Sequence, residues 1–317
     1  MDHWLSHRMK IIIAFLALYL IWGSTYLAIR WGVESIPPFF MAGSRHLVAG
    51  LFLFFIIRKR DKSEITKIHW RSAFIIGGLL LLGGNGGVTW AEQHVPSGLA
   101  ALLVATVPLW IMILSWLQKE NVRPGIREFI GIILGLFGLA ILVGPEELAG
   151  GERIDPIGAI ALLIASLAWS FGSLYSRKAP VPSSAFLNTS MQMIGGGVLL
   201  IILGFVTGES GRLNVSEITA RSFFSLVYLA AFGSLIGFSA YIWLLKVSTP
   251  AKVTTYAYVN PVVAVIFGWL LAGEELSMRT ILASVVIIGS VVIITLPKNL
   301  NGWRKPFFVS KTPIEPT

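Results

Sequence analysis

Residues 21–30, IWGSTYLAIR, return in altered form at residues 168–177, AWSFGSLYSR. Trp22 is followed eight positions on by Arg30, as Trp169 is by Arg177. The pairing continues down the chain. Pro108 precedes Trp116 by eight and Pro261 precedes Trp269 by eight, while Glu120 and Glu274 precede Gly135 and Gly289 by fifteen. Matched residues lie 147 to 154 positions apart, a slow drift of the kind loop insertions produce. Each copy holds five apolar stretches, and an odd number starts the second copy on the opposite side of a bilayer. Inverted repeats of this kind build alternating-access transporters.

Composition agrees with a membrane location. Of 317 residues, 55% are hydrophobic and 13% charged, and mean hydropathy is +0.76. A soluble domain carries about 25% charged residues. Cysteine is absent, which excludes disulfides, iron–sulfur clusters and thiolate metal sites. A span needs roughly 20 apolar residues. Ten stretches qualify: 10–31, 39–57, 72–91, 97–117, 129–145, 156–176, 186–206, 222–245, 252–272 and 280–297. The sequence therefore predicts an all-α membrane protein of ten transmembrane helices, arranged as two inverted five-helix repeats (10–145 and 156–297) around a central cavity. A disordered cytoplasmic tail is expected over 298–317. The first stretch outruns a signal-peptide core, lacks a small-residue cleavage site and has a partner in the second half, so it is read as a retained span.

The net charge of +9 does not mark a nucleic-acid binder, because the basic residues sit in short segments between apolar runs. Nineteen of them fall on one side of the array, and only Arg153, Arg212, Arg221 and Arg279 on the other. Basic residues favour the cytoplasmic side, which puts both termini there. The basic linker 58–71 is expected to rest on anionic lipid.

These residues resemble a known family. Ile21 through Tyr26 in the first span, Arg45 in the second, Val95-Pro96-Ser97-Gly98 through Pro108 in the fourth, and Tyr256 through Pro261 followed by Gly273-Glu274 in the ninth are similar to the EamA branch of the drug/metabolite transporter superfamily. The resemblance covers about residues 10–297. It implies a ten-helix fold with a cavity between the repeats, in a bacterial inner membrane, working mainly as an exporter of small organic metabolites, amino acids or drugs.

Polar groups at membrane depth are costly and usually face a cavity or another helix. Trp22 and Thr25 in the first span, Asn85 and Trp90 in the third, Trp169 and Ser173 in the sixth, and Tyr256 and Asn260 in the ninth are the expected substrate-binding set. Aromatic walls with a few neutral hydrogen-bonding groups suit a small amphipathic molecule. The alternative reading gives Trp and Tyr to interfacial anchoring, and Ser and Thr to their own helix backbone. Arg45 with His46 lies some six residues into the second span, about 9 Å deep. Alignment of the repeats puts Met191 and Gln192 at those places, so the scaffold does not require charge there. With Glu34 and Glu92 they form an expected ion-paired outer gate; snorkelling, or an anionic group on the substrate, are the alternatives. Pro108 and Pro261, at matching positions, are expected hinges or static kinks.

Absences bound the mechanism. No G-x-x-x-x-G-K-[ST] stretch exists, so direct ATP drive is excluded. No acidic residue lies mid-span, which leaves proton antiport with little support and facilitated diffusion as an alternative. No H-E-x-x-H, G-x-S-x-G or His/Asp grouping falls within a span, which argues against a lipid-modifying enzyme. The short loops argue against a receptor or scaffold. No cofactor and no metal are expected. Glu120 and Glu274 are read as structural, capping the helices that follow. Gly131, Gly135 and Gly138 offer a small-residue face that suits either a second copy or a neighbouring helix of the same chain.

Overall fold

A computed structural model of the protein describes residues 7–91, 93–94, 100, 103–117, 125–144, 155–272 and 277–296. Among these residues every regular element is helical. Eight helices are long and apolar enough to cross a membrane. They are α1 (His7–Gly32), α2 (Pro38–Arg60), α3 (Lys67–Ala91), α5 (Ile126–Val143), α6 (Pro156–Lys178), α7 (Ala185–Val206), α8 (Ala220–Val247) and α10 (Met278–Thr295). Two shorter helices stand where the fourth and ninth spans are expected: α4 (Val107–Leu117) and α9 (Tyr256–Ala272). Each follows a non-helical turn, at 105–106 and 254–255. The expected tail, Glu92, Glu120, Glu274 and the segment 95–98 lie outside the described residues.

The outer surface inverts the usual polar arrangement. Phe52 and Phe55 on α2, Phe137 on α5, Ile164 on α6 and Phe224 on α8 are all exposed. Such a surface suits lipid, and helices suit it too, because they satisfy every backbone group within the segment.

The helix ends gather on two faces. On one, which we call the Pro38 face, Glu34 meets Arg221 at 3.7 Å, and Ser222 donates to the Trp31 carbonyl at 2.7 Å. On the other, the Arg60 face, Arg177 donates to the Ser248 carbonyl at 3.0 Å. α2 packs most extensively on α7, and α5 on α10. α1 lies against α8 and α9, while α6 lies against α3 and α4. Each half therefore presents its first helix to the third and fourth helices of the other.

Two further irregularities match between halves. The middle of α3 (Gly78–Gly86) and the middle of α8 (Leu229–Phe238) are wound as π-helix, a rare form that concentrates at functional sites. Within these wide turns, glycines admit indoles from the opposite half. A Cβ on Gly84 would fall 2.6 Å from Trp169 of α6, and one on Gly237 would fall on the Trp22 indole nitrogen of α1. The three glycines of α5 face inward as well: Gly131 and Gly138 meet Ile294 and Ile287 of α10, and Gly135 meets Ser290 and Tyr258. That face is taken by the chain itself.

Acidic side chains tie α2 and α7 together at both faces. α7 ends at Val206, and Gly208 turns the chain through a left-handed conformation (φ 77°) that swings Glu209 back. The buried Glu209 carboxylate accepts from the Phe39 backbone N–H (3.1 and 3.0 Å to its two oxygens) and from that of Phe40 (3.0 Å). Proline leads α2 and brings no N–H of its own, so these are the first donors the helix must satisfy. At the Arg60 face, Asp61 accepts hydrogen bonds from the Ser63 side chain and backbone and from Ser184, the residue that caps α7. Those bonds, Ser63 first, then Ser184 and the nearby Arg58 charge, hold its carboxyl below the usual carboxylate range.

Candidate functional site

A cavity of about 790 Å³, its open mouth included, lies between the halves. α1, α2, α3, α6, α8 and α9 all line it. Its lining runs from mid-depth toward the Pro38 face, where Ile29 and Val88 each sit three residues before a helix end (Gly32 and Ala91).

The floor is aromatic. Trp22 stands edge-on to Tyr256 (ring centres 4.9 Å apart, 86°) and to Trp169 (5.7 Å, 75°), with Tyr241 tilted beneath both at 5.3 and 5.2 Å. Such offset and edge-to-face pairs are the favoured ring geometries. Hydrogen bonds fix each ring. Trp22 Nε1 donates to the Gly233 carbonyl (3.1 Å) on the π-wound part of α8. Trp169 Nε1 donates to the Tyr241 hydroxyl (2.8 Å), which also shares a hydrogen bond with Ser173 (2.5 Å). Below this layer the Tyr19 and Thr255 hydroxyls share a hydrogen bond of 2.6 Å, between α1 and the turn that leads into α9.

One wall is polar. Arg45, 3% exposed, donates through Nη2 to Asn85 Oδ1 at 2.5 Å, and its guanidinium reaches across to Gly233 of α8. His46, also 3% exposed, lies beside Asn85 with neither ring nitrogen in hydrogen-bond geometry; its ring meets the edge of Phe238 at 6.1 Å. On the opposite side Asn260, oriented as its neighbours require, donates to the Tyr19 and Tyr256 carbonyls at 3.2 and 3.1 Å. Those carbonyls lie in the first turns of α9 and in α1, so Asn260 binds the two halves together as well as facing the cavity.

Six of the expected binding residues therefore converge on the cavity: Trp22, Thr25, Asn85, Trp169, Tyr256 and Asn260. Thr25 spends its hydroxyl on the Trp22 carbonyl (2.7 Å). Ser173 stands behind the floor, holding Tyr241 and bonded to the Trp169 carbonyl (2.6 Å). Trp90 lies off the cavity, its ring 4.6 Å from that of His94. Arg45 and His46 are cavity residues, whereas Glu34 is taken by the surface pair with Arg221. Pro108 stands second in α4, where a missing N–H costs nothing, while Pro261 lies inside α9. Sequence reading missed Gly84, Gly233, Phe238 and Tyr241. Glycine carries no polar signal, and Tyr241 hides in the apolar run SAYIWLLKV, where only its hydroxyl at membrane depth could have marked it.

The cavity thus lies within an apolar helical body, lined from both halves of the chain. The EamA-like transporter family model matches residues 9–144 and again 156–296, and the chain belongs to that family. It is 44% identical over 290 residues to the "Uncharacterized inner membrane transporter YedA" of Escherichia coli (strain K12), a match that covers 90% of this chain and 91% of the relative. It is 27% identical over 279 residues to the "Uncharacterized transporter YoaV" of Bacillus subtilis (strain 168), covering 88% and 94%. One solved crystal structure shares the fold with a TM-score of 0.72 at 20% identity, covering 92% of this chain and 97% of the other.

Proposed function

We propose that this protein is a secondary transporter of the bacterial inner membrane. It exports small amphipathic organic molecules by alternating access between two inverted five-helix repeats, with both termini in the cytoplasm. The observation that carries the reading is the cavity itself, built from both halves, open toward one face and floored at mid-depth by four interlocked rings. The double family match, the paired π segments in α3 and α8, and the exchanged indole–glycine contacts support two equivalent halves. The charge asymmetry of the loops supports the Arg60 face as cytoplasmic, so the cavity opens outward.

Arg45, His46 and Asn85 offer donors to a hydrogen-bond-accepting group on the substrate, and the aromatic floor takes its apolar part. Glu209, the one buried carboxylate among the described residues, is occupied at the start of α2 and has no place in the cavity.

Purified protein in vesicles should support flux of small amphipathic metabolites. Replacing Asn85, Asn260 and Tyr256 together should abolish that flux while leaving insertion intact; unchanged flux would remove these residues from the site. Because the chain has no native thiol, Ser6→Cys and Ser210→Cys can be labelled singly. The orientation requires them to react from opposite sides, and labelling of both from outside would overturn it.

A further inference from the structure

The polar wall of the cavity has one sign. Arg45 brings a guanidinium to it. Asn85 accepts from that guanidinium through its carbonyl oxygen, which leaves its NH2 as the group it can offer a solute. His46 is buried, lines the cavity and has no hydrogen-bond partner at either ring nitrogen. An imidazole always carries at least one N–H, and a buried polar group without a partner is costly and calls for an explanation. Among the described residues, no Asp or Glu lines the cavity. The matching places of α7 hold Met191 and Gln192, so the fold itself does not call for the charge.

We propose that the substrate is an organic monoanion. Arg45, His46 and Asn85 hold its carboxylate or similar oxyanion, and its apolar body lies on the floor of Trp22, Trp169 and Tyr256. This rests on the transport role proposed above and narrows it. The guanidinium is a planar fork that matches two oxyanion oxygens. In a wall shielded from water, a full negative charge gains far more from that fork than a neutral carbonyl does. A cationic or zwitterionic solute would bring an ammonium that meets no carboxylate among the described lining residues. The negative charge also gives the solute a way out without a coupling ion. No acidic residue lies mid-span to carry a proton. With the cell interior negative, the membrane potential drives a monoanion outward by about fifty-fold in concentration per 100 mV.

Probes that share one naphthalene body test this on the purified full chain in detergent, with affinities read by calorimetry. They are 2-naphthoate, its amide 2-naphthamide, the amine 2-naphthylmethylamine and the zwitterion 3-(2-naphthyl)alanine. The acid should bind at least about tenfold tighter than each of the others, the effect of one hydrogen bond to a charged group. Arg45→Met should bring the acid to the level of the amide, and His46→Leu should narrow the gap. The ranking in the wild-type protein decides by itself, so a variant that fails to fold leaves the test intact. Equal binding of acid and amide, or tighter binding of the amine or the zwitterion, would overturn the monoanion and leave a transport cavity standing. Binding of none of them would overturn both. In sealed vesicles the permanently charged naphthalene-2-sulfonate should gather on the positive side of an imposed potential, at a ratio of about fifty for 100 mV. A ratio that ignores the potential, in protein that selects the acid, would overturn the potential-driven exit.

Discussion

α2 and α7 are the second helices of the two segments that the family model matches, yet they carry different chemistry. They cross through small residues contributed by both, with Gly50 against Met193 and Gly197 against Leu47. Where α2 has Arg45 and His46, α7 has Met191 and Gln192, and where α3 offers Asn85, α8 offers Phe238. Met191 is buried among Leu187, Ala73 and aromatic neighbours, so the packing is complete without a charge. Glycines hold the crossing, and in the proposed transport role the charge on α2 serves the cavity, which Arg45 lines beside Asn85. A cation held in the membrane interior has to be matched by its surroundings, and only the first half supplies the Asn85 amide beside it.

Exchange of the two residues is the severest way to break this comparison. Met191→Arg puts a charge into an apolar cluster and should cost roughly 3 kcal/mol or more, read as lost expression and aggregation in detergent. Arg45→Met should fold and insert but lose at least about tenfold in flux, the worth of one hydrogen bond to a charged group. Arg45→Lys should recover part of that, since an ammonium cannot reproduce the planar contact. Wild-type flux in Arg45→Met would reduce the residue to a structural ornament of α2.

Gly84→Ala and Gly237→Ala sharpen the comparison where the halves agree. Each adds a methyl against a fixed indole, Trp169 or Trp22, and each should destabilise by about 1–3 kcal/mol with a shift in tryptophan emission. Destabilisation by one and indifference to the other, measured as thermal midpoints in detergent, would show that the two contacts are not equivalent.

The smallest effect is expected at Asp61. Its carboxyl is held low in the folded protein, so its contribution is present above the ordinary carboxylate pKa and is lost as pH falls through the folded value. Asp61→Asn should therefore lower the thermal midpoint slightly at pH 7, and the difference from wild type should close as the pH drops below about 4. A difference that persists in acid would assign the effect to packing.

Much of this was legible in the sequence, because the spans follow from hydropathy and the halves from the spacing of a few indoles and prolines. Depth could be read too, since Trp22, Asn85, Tyr256 and Asn260 sit at the level where the cavity lies. Azimuth could not. Trp90 follows the π-wound stretch Gly78–Gly86, which turns later residues of α3 away from the phase a regular helix would give them, and Ser173 stands one turn past Trp169 behind a tyrosine from another helix. The turns ahead of α4 and α9 escaped for a related reason. Thr106, Thr254 and Thr255 bond carbonyls three or four residues back, a local choice that competes with the helix and leaves no trace in hydropathy.

Glu209 and Asp61 have a mechanical consequence. One fastens the start of α2 to the segment that leaves α7, and the other fastens the segment that leaves α2 to the start of α7. A crossed pair of lashings at opposite ends of two crossing beams suppresses both sliding and twisting between them. In the transport cycle proposed above, α2 and α7 then move as a single keel, and the displacement falls to the helices hung on either side of it.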